Sequence, residues 1–195
     1  MAISRDIRPG WGARRRPDQR TTAPHISLGD RSRPVIAIVP FEPKHAEGIA
    51  SVILPIQQAE FDIPITLEAQ PDLKDITGFY QHGSGNFWVA LLDEEVIGTV
   101  GLLDIGNNQA ALRKMFVKAE FRGSEYGVAK RLLTQLLEWC RAHRVKEVYL
   151  GTTAKFLAAH RFYEKNGFRE IRRAELPSSF PVMVVDTKFY FLSLT

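Results

Sequence analysis

The chain has 195 residues, of which 45% are hydrophobic and 25% charged, with a net charge of +4. That length suits one well-cored domain and is short for two. No apolar run approaches the roughly 20 residues needed to span a bilayer, the N-terminus lacks the apolar stretch of a secretory signal, and the single cysteine, Cys140, excludes an internal disulfide; a cytoplasmic protein without a membrane partner is expected.

Charge is concentrated at the N-terminus. Residues 1–34 hold eight arginines, three aspartates and no lysine, together with Pro9, Pro17, Pro24 and Pro34, and show no apolar periodicity. Such a stretch cannot bury enough surface to fold by itself, so it is expected to be a flexible arm ahead of a domain at 35–195. Arg14, Arg15 and Arg16 would suit nucleic acid or an acidic partner. The simpler expectation is a dispensable extension, since the remaining body is close to neutral, which argues against nucleic acid as a partner.

Val35 to Val39 is a short β-branched run ended by Pro40, a first strand. Pro43 to Phe61 reads as a helix with Ala46, Ile49, Ala50 and Ile53 on one face, which Pro55 is expected to break or kink. Asp72 to Tyr80 reads as a second, short helix with Asp72 as its cap or in its first turn. Strands are expected at 86–92 and 96–104, joined across the acidic turn Asp93, Glu94, Glu95, and again at 110–118. Next comes the turn Arg122, Gly123, Ser124, Glu125, Tyr126, Gly127, and after it the clearest helix of the chain. Val128, Leu132, Leu133, Leu136, Leu137 and Cys140 recur there at three-to-four spacing. Cys140 lies on this stripe and reads as core rather than as a nucleophile. A strand at 147–151, a helix at 156–166 closed by Gly167 as a left-handed cap, and a long final strand at 183–194 complete the order.

A strand that runs into glycines at a helix start presents backbone N–H groups and the positive end of the helix dipole, an arrangement that holds phosphate. Ala159, Phe162, Tyr163, Gly167 and Phe168 follow one helix and one strand later. Over residues 35–195 this order and spacing resemble the GNAT superfamily of acyl-CoA-dependent N-acyltransferases. The resemblance implies an α/β (α+β) GNAT fold, with a mixed central sheet of about seven strands flanked by about four helices. It implies acetyl-CoA as cosubstrate and no metal. It further implies that the backbone of Phe116 and Val117 pairs with the pantetheine arm, that Arg122, Gly123, Ser124, Tyr126, Gly127, Val128 and Ala129 form the pyrophosphate cradle, and that Tyr163 protonates the departing thiolate. The turn is about two residues longer than the commoner family pattern. Glu125 is expected to point outward, because an acid inside a phosphate cradle repels.

Many members of that family carry a glutamate on the strand before the turn as the base for the acceptor ammonium; the corresponding positions here are Ala111 and Arg113. Unaided deprotonation of an amine of pKa near 10.4 at pH 7 costs about 4 to 5 kcal/mol. Asp104, Glu68, Asp62 and Asp186 are the substitutes, and an acceptor of lower pKa or a water chain would serve equally. The resemblance further implies an acceptor site between the segments Phe61 to Leu67 and Glu175 to Val182, and His45, His82 and His160 are further candidates for lining or proton transfer.

The expected function is direct transfer of an acetyl group to a primary amine of a small molecule or amino-acid-like compound. Two alternatives stand beside it. A protein lysine or N-terminal acetyltransferase would need an open acceptor groove, and a non-catalytic acyl-CoA-binding regulatory module is allowed by the missing strand glutamate. Homodimerisation is left open.

Overall fold

Seven strands make one sheet in the order β1-β2-β3-β4-β5-β7-β6. They are β1 (Ile36–Pro40), β2 (Asn86–Leu92), β3 (Glu95–Gly106), β4 (Gln109–Val117), β5 (Glu147–Thr152), β6 (Arg169–Ile171) and β7 (Lys188–Ser193). The structure is a computed structural model, described here for residues 35–195; the readings made of residues 1–34 lie outside the described residues. All neighbouring strands pair antiparallel except β4 and β5. A parallel pair needs a crossover, and helix α4 (Val128–Ala142) supplies it.

Both faces of the sheet are covered, which is why β2 reads as a continuous apolar run. Phe87 and Val89 pack on one face with Ile49, Val52 and Ile53 of α1 (Ala46–Pro55). Trp88 and Ala90 pack on the other with Leu132, Leu133 and Leu136 of α4. The α4 stripe is thus the core side of that helix. Cys140 is fully buried within it, and burial pushes its thiol up to about 12. Among the described residues no helix is long and apolar enough to cross a membrane.

The α-helix ends at Pro55, where a break or kink is expected, and the run continues as a π-helical turn, Ile56–Glu60. Two expectations are corrected. The second helix is two short ones, α2 (Pro71–Lys74) and α3 (Ile76–Tyr80). Asp72 lies in the first turn of α2, and Asp75 caps α3 by accepting from Gly78 N–H at 2.8 Å. The final strand begins at Lys188, and 183–187 is a loop, because Asp186 turns the chain: its carboxylate accepts from Met183 N–H at 2.9 Å, and its own N–H donates to Met183 O at 3.0 Å. Helix α5 (Leu157–Lys165) lies where expected, and Gly167 beyond it has φ +89°.

Candidate active site

Strands β4 and β5 pair only where Gln109, Ala110 and Ala111 meet Glu147, Val148 and Tyr149. Beyond that point the β5-facing edge of β4 has no strand partner. The cause lies in β4 itself. Its register against β3 gains one residue between Arg113 and Phe116, with Lys114 in the left-handed region at φ +51°. Such a bulge bends and twists the strand that carries it. The buried Thr99 hydroxyl donates to the displaced Lys114 carbonyl at 2.7 Å and so fixes the bend.

The splay opens a cavity of about 410 Å³. Met115, Phe116 and Val117 of β4 form one wall, Ala129 of α4 an end, and Ala159, Phe162 and Tyr163 of α5 the other wall. Its roof is a strap from the end of the first helical run: Phe61 meets Phe156 edge to face at 4.2 Å, and Lys155 Nζ donates to Phe61 O at 2.9 Å. The turn before α4 closes the remaining end. Gly123 and Gly127 take φ values of +91° and +61°, which a side chain would resist. Arg131 N–H is the first to close a helical bond, onto Gly127 O at 3.0 Å. The N–H groups of Val128, Ala129 and Lys130 are thereby left at the helix start without intrahelical acceptors.

The expected cofactor residues divide by position. Phe116, Val117, Arg122, Gly123 and Ala129 line the cavity. Ser124, Gly127 and Tyr126 lie on the turn, with Tyr126 packed against Phe121 at 5.4 Å, and Glu125 is exposed. The Val128 side chain is fully buried in the core, so only its N–H faces the turn. Arg122 is already engaged: Nε donates to Val117 O at 2.8 Å, and both terminal nitrogens donate to Glu60, at 2.7 and 2.9 Å. Its charge is therefore matched within the protein, by a partner 62 residues away along the chain.

Tyr163 is buried against Phe168 at 5.6 Å and Tyr190 at 6.0 Å between ring centroids, while lining the cavity. Burial raises its phenol well above the ordinary tyrosine range. It stays neutral at physiological pH.

A second, smaller cavity of about 130 Å³ lies across Phe116 and Phe156, which line both spaces. Ile63 and Ile65 from the expected first segment line it, as do Phe180 and Pro181 from the expected second. Its polar groups are Arg113 and Lys114 of β4, Gln57, Gln70 and Asp186. Lys114 sits in a buried network: it donates to Gln70 Oε1 and pairs with Asp72 at 3.3 Å, and Tyr80 OH donates to Asp72 at 2.7 Å. Gln57 and Gln70 bond each other at 3.0 and 3.3 Å. Burial lowers the Lys114 ammonium, and Asp72 opposes the shift. Asp72, which lies in the first turn of α2 as expected, is thus also a buried counter-ion. Burial raises the Asp186 carboxyl, opposed by the Met183 N–H and the Arg113 charge.

The other expected residues lie elsewhere. Asp104 accepts from the N–H groups of Ser84 and Gly106 in turns. Asp62 and Glu68 are exposed and line neither cavity. His45 accepts from Glu42 N–H, His82 contacts Phe79 O, and the buried His160 contacts Thr153 O. Among the described residues no three His, Cys, Asp or Glu side chains gather as a metal-binding group. Lys114, Gln57 and Gln70 are the site residues that the sequence reading missed. The one available signal was two consecutive cations, Arg113 and Lys114, in a strand that ought to alternate.

Known proteins share this fold. The Acetyltransferase (GNAT) family profile matches residues 52–168. N-acetylaspartate synthetase from Danio rerio is 39% identical over 106 residues, which are 53% of this chain and 37% of the synthetase. The match thus spans little more than a third of that relative's length. An acetyltransferase of the GNAT family from Staphylococcus aureus Mu50 superposes with a TM-score of 0.79 at 40% identity, covering 83% of this chain and all of that one. PaiA N-acetyltransferase from Thermoplasma acidophilum, solved with coenzyme A, shares the fold at a TM-score of 0.62 and 17% identity, covering 82% and 99% of the two chains. With its splayed β4 and β5, its glycine turn and these likenesses, the chain belongs to the GNAT family of acetyltransferases.

Proposed function

We propose that this protein transfers the acetyl group of acetyl-CoA to the primary amine of a small, carboxylate-bearing acceptor of amino-acid type, directly within a ternary complex. The observation that carries this reading is the pair of cavities meeting at Phe116 and Phe156, one apolar with helix N–H groups at its end, the other cationic. The residues present fit a coenzyme A chain. The orphan N–H groups of Val128, Ala129 and Lys130 suit a pyrophosphate, and the unpaired edge of β4 suits the amides of a pantetheine arm. With Arg122 held by Glu60, these backbone donors carry the anion. Acetyl-CoA supplies a thioester carbon for the amine to attack and a sulfur that leaves as thiolate. The neutral phenol of Tyr163 donates a hydrogen bond to the sulfur as charge develops there and gives up its proton to it.

The acceptor side supports a small acid. A cation, Arg113, stands where many relatives carry glutamate, and the buried Lys114 lies beside it. With Lys114 matched by Asp72, Arg113 is the cation that disfavours a bare ammonium and favours one that carries carboxylates. A space of about 130 Å³ suits a small molecule better than a peptide. The relatives named N-acetylaspartate synthetase fit the same chemistry, and aspartate is the first acceptor to test.

Ligands that bind only the folded state raise its stability by RT ln(1 + [L]/Kd), about 2.7 kcal/mol at one hundred times Kd. Acetyl-CoA is therefore expected to raise the melting temperature by several degrees, and L-aspartate to raise it further in the presence of coenzyme A. A melting curve unmoved by millimolar acetyl-CoA but moved by a nicotinamide dinucleotide would overturn the assignment.

A further inference from the structure

We infer that Asp186, on the loop before β7, is the catalytic base that takes the proton from the acceptor ammonium, replacing across the splay the carboxylate that β4 lacks. The inference rests on the acceptor reading above. Asp186 is half-buried and lines the acceptor cavity, whereas Asp62, Asp104 and Glu68 do not. Its position follows from the strand geometry. Ala111 and Tyr149 are the last paired residues of β4 and β5, and Arg113 and Gly151 stand two residues beyond them on either side of the gap. The Asp186 carboxylate lies directly over Gly151, where an added Cβ would fall 2.5 Å from its carboxyl carbon. Glycine at 151 is what lets the carboxylate reach the gap. The loop is anchored on both sides of the residue: Met183 N–H donates to the carboxylate, and Thr187 N–H donates to Thr152 O at 2.9 Å.

The charges facing this carboxylate are Arg113 and, next to it, Lys114, which is itself paired with Asp72. From β5 it meets the uncharged Gly151, and the uncharged Phe180 and Pro181 of the 176–182 segment line the same cavity. Burial raises the carboxyl, which brings it closer to neutral pH as a proton acceptor. In the step itself one ammonium proton passes to the Asp186 carboxylate and then to solvent. The freed lone pair forms the N–C bond, the C–S bond breaks, and the second nitrogen proton balances the one that Tyr163 gives to sulfur. Products are the N-acetyl amine, free thiol and one released proton.

The test compares wild type, Asp186→Asn and Gly151→Ala in single-turnover acetyl transfer to L-aspartate between pH 6 and 10, with coenzyme A-dependent melting as the check on fold. In Asp186→Asn, transfer at pH 7 is expected to fall by about 10²-fold or more. That deficit should shrink by about tenfold per pH unit as free amine accumulates toward its pKa of about 10. Gly151→Ala keeps the carboxylate but displaces it, and should show the same pH signature. Both variants should keep the melting shift given by coenzyme A. Rates and pH profiles within about threefold of wild type in Asp186→Asn would overturn the inference, as would a uniform loss without the pH signature in both variants. A wild type that acetylates neither aspartate nor other amino acids would instead overturn the acceptor reading, and the inference with it.

Discussion

Tyr163→Phe is expected to lower single-turnover acetyl transfer by about 10²-fold or more while leaving acetyl-CoA affinity nearly unchanged. The substitution removes one oxygen and keeps the ring, which packs on Phe168 and Tyr190 whether or not the hydroxyl is present. Loss of a proton donor is felt only as the sulfur becomes anionic, so the deficit falls on kcat rather than on binding. The buried environment sharpens this. A phenol raised by burial keeps its proton at neutral pH and so remains a hydrogen-bond donor to the sulfur as charge develops there. Single-turnover measurement is preferred because slow product release would hide the effect. An unchanged rate would remove Tyr163 from the chemistry, and retained coenzyme A affinity with no transfer even in wild type would favour a non-catalytic acyl-CoA-binding module.

The second large effect is on stability. Lys114→Met should destabilise the domain by about 3 to 5 kcal/mol, because it strands the Asp72 carboxylate, 4% exposed, without its cation. At roughly 2 to 4 °C per kcal/mol for a domain of this size, the melting temperature should drop by about 10 °C. Methionine keeps the length of the chain and meets the same left-handed backbone at position 114, so the bulge strain is common to both proteins. Removing both charges, in Lys114→Met with Asp72→Leu, should recover much of the loss, since a buried pair replaced by apolar groups is often nearly neutral. Thermal unfolding at neutral pH decides: a single variant as stable as wild type would mean that the pair is open to water.

The pattern legible in the sequence is the pattern set by local forces. The α4 stripe from Val128 to Cys140 follows from periodicity, the hairpin strands β2 and β3 from apolar runs on either side of an acidic turn, and Gly123, Gly127 and Gly167 mark positive φ where side chains are disfavoured. What escaped notice depends on contacts between distant segments. Lys114 reads as a surface cation until a bulge, held by Thr99 15 residues away, turns it inward onto Asp72. Arg122 reads as a phosphate ligand until Glu60, 62 residues earlier, meets it. The apolar run Met183, Val184, Val185 reads as strand, yet the Asp186 turn holds it as a loop with Val184 fully exposed. That misreading also hid how close Asp186 comes to Gly151.

The proposed activity is acetyl transfer from acetyl-CoA to a small amine bearing carboxylates. Its most direct test is mass spectrometry of products after incubation with acetyl-CoA and an equimolar mixture of L-aspartate, L-glutamate, glycine, spermidine and a lysine-containing peptide, for wild type and Arg113→Glu. Acetyl groups are expected on the dicarboxylic amino acids first, with that preference lost when the β4 cation is reversed. Acetylation confined to spermidine or to the peptide, or a preference for acids that survives in Arg113→Glu, would contradict it.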